Sequence, residues 1–429
     1  MKINIKKSTY AAVMAKKRPK HRKPLRPLFL LQIVIRVLSI LDLWPTKFTY
    51  RTHGMERIGK KEPCLILMNH SSFIDLKIAS RIFFPKRYGI VCTTDGFVGF
   101  CMNILMRLLG CIPTRKFVTD MTLISDMDYL LKKKKTSVLM FPEAGYSFDG
   151  TATTLPRKMG VLLKKLGVPV VTVITQGAFA RQPLYNNLKL RKVVTSADVR
   201  CLATAQEVKS MTVAQLDALI DEAFSFDNFR YQQENNQKID EPYRAEGLSR
   251  ILYKCPHCGK EGHTEGKGDT LTCHGCGKAY KLTEYGYLEA VDGESAFTHV
   301  PDWVNWQRRE VKQTLENGTY RLDVPVEIGM IVDYSALYMV GSGRLVHNTE
   351  GFTLTSDDGQ IAFHQPPLAS HCLNADFFWY EIGDMISVGN SEVQFYCFPQ
   401  NCGDIVTKTR LAAEELYKLK KKRPGKTEA

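Results

Sequence analysis

Between Phe48 and Gly177 short apolar runs alternate with helical stretches, and this alternation restricts the possible folds more than any other feature of the chain. Leu65 to Met68, Tyr88 to Cys92, Val138 to Phe141 and Val168 to Ile174 read as strands, each a compact apolar run. Leu76 to Phe84, Asn103 to Leu109, Met121 to Lys135 and Met159 to Leu166 read as helices. Strands separated by helices pair in parallel and are covered on both faces, which is why they are apolar throughout instead of alternating. An α/β domain is expected over residues 48–235, its last part a helical segment from about Val213 to Gln233.

At 429 residues the chain is too long for one core, so further modules are expected. A polar stretch, 236–250, reads as a linker. Two Cys-x-x-Cys pairs, Cys255/Cys258 and Cys273/Cys276, follow within 251–290. Four thiolates at this spacing suit a closed, tetrahedral, structural Zn²⁺, with Gly259 and Gly277 allowing the tight turn after each pair. A β-rich domain with a closing helix is expected over 315–420; its run of short strands looks like a pleckstrin-homology or GRAM-type barrel. The eight remaining cysteines read as reduced thiols of a chain without an export signal.

The net charge of +15 sits at the ends. Ten Lys or Arg and no acid fall in residues 1–27, and six more lie between 416 and 426, in and before a basic tail, 421–429. Basic arms on a near-neutral body suit an anionic lipid surface better than nucleic acid, which is not expected as a partner. Residues 28–47 support this, for on a helix nearly every side chain from Leu28 to Trp44 is apolar, apart from a narrow seam of Gln32, Arg36 and Ser39 with Asp42 beside it. Seventeen residues with Arg36 at the centre are short of a span, so an amphipathic helix lying in one leaflet is expected, on the cytoplasmic face, peripheral or monotopic.

Chemistry is carried by Asn69-His70-Ser71-Ser72-Phe73-Ile74-Asp75, between a strand and a helix. There Asp75 can reach His70, fix its tautomer and stabilise its charged form, as a general base requires. Alone the pair is a weak signal, since His371 and Asp376 repeat the spacing. Three further blocks follow in order: Gly110-Cys-Ile-Pro-Thr-Arg115, Phe141-Pro-Glu-Ala-Gly-Tyr-Ser147, and the strand opened by Val168-Pro169-Val170-Val171.

Together these four blocks resemble those of the glycerolipid acyltransferases, the 1-acylglycerol-3-phosphate acyltransferase family, over about residues 50–210. The resemblance implies an α/β acyltransferase domain. Its expected reaction moves a fatty acyl group from an acyl thioester, acyl-CoA or acyl carrier protein, to the hydroxyl of a lysophospholipid, with 1-acylglycerol-3-phosphate as the leading acceptor and phosphatidate as product. It implies catalysis by His70 and Asp75 without an acyl-enzyme, and acceptor binding by Arg115, Glu143 and Gly145. Ser71 and Ser72 read as helix-capping hydroxyls. One block departs from the family pattern: Ala144, Gly145 and Tyr146 stand where the family has Gly-Thr-Arg, so one phosphate-facing arginine is missing and a different lipid acceptor becomes an alternative. The competing readings are a zinc-ribbon module that binds nucleic acid or protein on an inactive scaffold, and a family member that binds lipid without turnover. The intact His70, Asp75 and Glu143 argue against the first.

Overall fold

In the computed structural model, which describes residues 3–116, 120–156 and 159–422, the expected parallel sheet is present and larger than the sequence indicated. Its seven strands run in the order Thr49–His53, Ser196–Ala203, Val170–Gln176, Leu65–Met68, Ser137–Met140, Tyr88–Thr93, Cys111–Thr114. The last five are mutually parallel, and the first two run the opposite way. Three of these strands were not expected. Thr49–His53 is exposed along its whole length, Cys111–Thr114 contains Pro113, and Ser196–Ala203 alternates buried with less buried residues. The first two lie at the sheet edges, where a polar strand or a proline is tolerated.

Leu65, Ile66, Leu67 and Met68 are wholly buried because both faces are covered. Ile66 and Met68 pack with Ile78 of the Asp75–Phe83 helix and with Ile74 just before it, while Leu65 and Leu67 pack with Leu163, Leu216 and Ile220 on the other face. The carboxyl ends of the five parallel strands therefore open onto one edge, where ligands bind in folds of this kind.

The stretch 236–250, expected as a linker, belongs to the core. Ala245 and Leu248 are fully buried, and Arg244 donates from Nε to the Leu282 carbonyl (2.6 Å) and from Nη2 to Asp269 (2.9 Å). Its polar composition hid this, because the polar groups find their partners inside. The cysteine pairs lie in and beside a four-stranded antiparallel sheet, Leu288–Ala290, Ala279–Leu282, Thr270–Cys273, Thr264–Lys267. A helix that the sequence reading did not anticipate, Val300–Glu316, leads to the β-rich domain. There seven antiparallel strands run in the order Ala362–Gln365, Gly351–Ser356, Leu337–Asn348, Leu322–Met330, Gln394–Pro399, Gly383–Gly389, Asn374–Trp379. The helix Val406–Lys422 closes the domain and packs on Val300–Glu316. One continuous apolar cluster runs from Phe148, Phe179 and Tyr185 through Tyr280 and Trp303 to Val326 and Leu411, so these units share a core.

Of the two N-terminal segments, the basic arm differs from expectation. The basic arm is partly structural, since Ile5–Lys7 adds a parallel strand to Leu337–Met339 and Val13 is fully buried. The helix Phe29–Leu43 continues into a 3-10 turn, Trp44–Thr46, and the resulting Phe29–Thr46 stretch is long and apolar enough to cross a membrane by length and composition. Its polar seam, however, faces the protein. Ser39 is buried, Gln32 and Arg36 are half-buried, and Asp42 pairs with Lys77 on the Asp75–Phe83 helix. Leu30, Leu41 and Trp44 point outward at 71%, 70% and 82% exposure. This is the reverse of a soluble surface helix, whose apolar side packs inward.

Candidate active site

His70 leaves the Leu65–Met68 strand at the open edge, and four separate interactions hold the segment that carries it. Asn69 anchors the turn to the neighbouring strand, accepting from the Thr175 amide (2.7 Å) and hydroxyl (3.0 Å) and donating to the Thr175 carbonyl (3.2 Å). The Phe141–Ser147 loop does the rest. Glu143 Oε1 accepts from the His70 amide (2.9 Å), the Ser147 amide donates to the His70 carbonyl (3.0 Å), and the imidazole lies between the rings of Phe141 (4.0 Å) and Tyr146 (3.9 Å).

Asp75 meets His70 as expected. Its Oδ2 accepts from His70 Nδ1 (3.0 Å) and from the amides of Ser71 (2.8 Å) and Ser72 (3.0 Å). Nδ1 therefore carries the proton, and Nε2 is left with its lone pair. Burial holds the His70 pKa below its ordinary value; the hydrogen bond and charge of Asp75 oppose this, and Lys116 adds to the lowering. An imidazole held this way is neutral at physiological pH, as a general base has to be. The serines are not helix N-caps: Ser71 Oγ accepts from Asn69 and Ser72 Oγ from the Ile74 amide, and the carboxylate of Asp75 receives the first amides of the turn.

The residues expected to bind the acceptor are placed differently. Glu143 is fully buried and directs both oxygens to the protein: Oε2 accepts from the Thr153 amide (2.8 Å) and hydroxyl (2.7 Å). It positions His70 instead of reaching outward. Burial pushes its pKa up to about 7, against the hydrogen bonds from Thr153 and His70. Arg115, at the end of its strand, directs Nη1 to the carbonyls of Asn390 and Ser391 in the β-rich domain. Gly145 has open space where a side chain would be, while its neighbour Ala144 sits at φ 54°, a left-handed conformation that suits the glycine of the family pattern.

Several groups at the site were missed. Tyr146 was noted only as a departure from the pattern, yet it forms one wall of the His70 pocket. Arg410 of the closing helix donates to the Tyr146 carbonyl (3.3 Å) and lies over the Phe148 ring (4.3 Å), and Phe377 stacks on the same ring (4.5 Å). The His371/Asp376 spacing carried the only sequence hint of Asp376, which was read as a coincidence.

The cysteines form a second cluster. All four Sγ atoms lie within 4.8 Å of one another, with Cys255 to Cys276 at 3.8 Å and Cys258 to Cys273 at 3.7 Å. Four sulfurs about 2.3 Å from one centre would stand at about this separation in a tetrahedron. Gly259 and Gly277 take the expected left-handed turns at φ 71° and 77°.

The half-buried His70 and buried Asp75 thus stand at the carboxyl edge of a parallel sheet, clamped by a Phe-Pro-Glu loop. Residues 49–176 match the family model described as Acyltransferase. The chain is similar to 1-acyl-sn-glycerol-3-phosphate acyltransferases. It is 28% identical over 198 residues to a chloroplastic enzyme of Brassica napus, covering 44% of this chain and 53% of that one. The corresponding protein of Arabidopsis thaliana is 26% identical, covering 43% and 53%, and the human beta enzyme 25%, covering 43% and 67%. The chain thus spans about half the length of the plant relatives it matches. A solved 1-acyl-sn-glycerophosphate acyltransferase of Thermotoga maritima aligns at 15% identity and a TM-score of 0.38, over 45% of this chain and 76% of that one.

Proposed function

We propose that this protein transfers a fatty acyl group from an acyl thioester, acyl-CoA or acyl carrier protein, to the free hydroxyl of a lysoglycerolipid held at a membrane surface. 1-Acylglycerol-3-phosphate is the acceptor that the relatives' names print. The observation that carries this reading is the His70–Asp75 pair with Nε2 left free, since a hydroxyl needs a base and a thioester already supplies its leaving group. His70 Nε2 takes the hydroxyl proton as the oxygen attacks the thioester carbonyl. The tetrahedral intermediate then collapses, the C–S bond breaks, and the leaving thiolate takes the proton back from the imidazolium. Ester and thiol are the products, and no acyl-enzyme forms.

The inverted Phe29–Thr46 helix supports attachment to one leaflet, its apolar side toward lipid and its seam toward the protein. The four-cysteine cluster fits a structural Zn²⁺ with no coordination position left for substrate. The test is acyl transfer from acyl-CoA to a panel of lysoglycerolipids in detergent micelles. Transfer should be lost in His70→Ala with an unchanged thermal unfolding curve; near wild-type turnover in that folded variant would refute the assignment.

A further inference from the structure

The family pattern would read an acceptor phosphate with two arginines, and neither is in place here. At position 146 a tyrosine ring covers the imidazole, and the Arg115 guanidinium is taken up by the carbonyls of Asn390 and Ser391. In their stead the β-rich domain contributes a carboxylate. The strand Asn374–Trp379 is pinned beside the active-site loop by the Phe377–Phe148 stack, and Arg410 joins the closing helix to the Tyr146 carbonyl. Asp376 on this strand has its Oδ1 buried with no hydrogen-bond partner among the described residues.

We propose that the acceptor headgroup is an uncharged glycerol-type polyol instead of a phosphomonoester, with the unpaired Oδ1 of Asp376 accepting a hydrogen bond from a headgroup hydroxyl. This rests on the acyltransferase reading of the site and names its acceptor class. A buried carboxylate oxygen with no hydrogen-bond partner among the described residues calls for a donor, and hydroxyls are donors whereas a phosphate dianion at neutral pH offers only acceptors. Burial and the nearby Asp95, in the 3-10 turn Thr94–Phe97, push the Asp376 carboxyl up to about 6, against Lys116 and Arg410. Lys116 faces His70 and Asp376 alike, so a carboxylate already answers its charge. A dianion entering this site would meet two carboxylates, while of the two cations acting on Asp376, Lys116 and Arg410, the latter is already paired with Glu414.

The experiment compares monoacylglycerol with 1-acylglycerol-3-phosphate at equal mole fraction in neutral detergent micelles, with acyl-CoA as donor and the full-length chain as enzyme. Monoacylglycerol should be preferred in kcat/KM by about tenfold or more. Asp376→Asn should narrow that preference about tenfold, mainly by lowering KM for the phosphorylated acceptor, and Tyr146→Arg should narrow it independently. A wild-type preference for 1-acylglycerol-3-phosphate, lost in Arg115→Ala and unmoved in Asp376→Asn, would overturn the inference and leave the acyltransferase reading intact. His70-independent thioester consumption with no ester formed from either acceptor would overturn both.

Discussion

Replacing Asp75 by Asn separates the charge of this residue from its geometry. All three of its hydrogen bonds converge on Oδ2, from His70 Nδ1 and from the amides of Ser71 and Ser72. An asparagine that points its carbonyl to the same place can keep all three, so the ring should stay where it is. What disappears is the negative charge 3.0 Å from the imidazole. Two unit charges at that distance interact by about 5 kcal/mol at an effective dielectric of about 20, and a neutral hydrogen bond of about 1 kcal/mol remains. Allowing for the 19% exposure of the His70 side chain, the imidazolium should be destabilised by about 2 to 4 kcal/mol, or roughly 30- to 1,000-fold in kcat/KM. The base's pKa, already lowered by burial, should fall further. In a pH–rate profile of acyl transfer, the plateau should drop and the ascending limb should move to lower pH. The buried Oδ1 has no partner among the described residues, so the new amide nitrogen there should cost a further ~1 to 3 kcal/mol of stability, read by thermal unfolding. A folded variant with a plateau within about threefold of wild type and an unmoved limb would refute the reasoning.

Other perturbations have equally direct readouts. Glu143 is held as an acid with a raised pKa, so the native state keeps a proton that the unfolded chain, near 4.5, releases. Its contribution is therefore present below pH 4.5 and lost as pH rises through about 7, by an order of 3 kcal/mol, and denaturant midpoints should show this slope in wild type and lose it in Glu143→Gln. Ala144→Gly relieves a left-handed alanine and should raise stability by about 1 kcal/mol; an unchanged or lowered midpoint would show that the loop carries no strain there. Elemental analysis should find one zinc per chain, lowered in Cys258→Ser, and chelation should loosen the 251–290 unit; a zinc-free wild type would remove the proposal. Changing the outward residues Leu30, Val37 and Leu41 together to Glu should weaken vesicle binding more than ~100-fold, since each loses about 1.5 to 3 kcal/mol of burial in lipid, and undiminished co-sedimentation would place the anchor elsewhere.

The histidine box, the Phe-Pro-Glu loop and the two cysteine pairs were legible because each is local. A base and its orienting acid five residues apart, or two thiols three apart, are brought together by one turn, so the chain itself carries the geometry. The parallel sheet was legible for a related reason: strands covered on both faces must be apolar throughout, as Leu65 to Met68 are. Edge strands escape that rule. Thr49–His53 and Cys111–Thr114 have little apolar surface to bury on one side, and so left no periodic signal.

Contacts between distant parts of the chain decided everything else. Roles assigned by pattern were altered by neighbours that no local spacing announces. Glu143 turns inward because Thr153 and the His70 amide supply its donors, and Arg115 is drawn off by carbonyls some 275 residues away. The basic arm is in part a strap because Ile5 to Lys7 find an open strand edge at Leu337–Met339. The direction faced by the Phe29–Leu43 helix is the clearest case. Its sequence determined that one narrow stripe is polar and the rest apolar, but a pattern of that kind is compatible with either side meeting the protein. Only the packing against the Asp75–Phe83 helix, with Asp42 paired to Lys77 and Ser39 buried, decided that the polar stripe faces inward and the apolar surface outward. Periodicity records which residues share a face, whereas the partner for that face comes from another part of the chain.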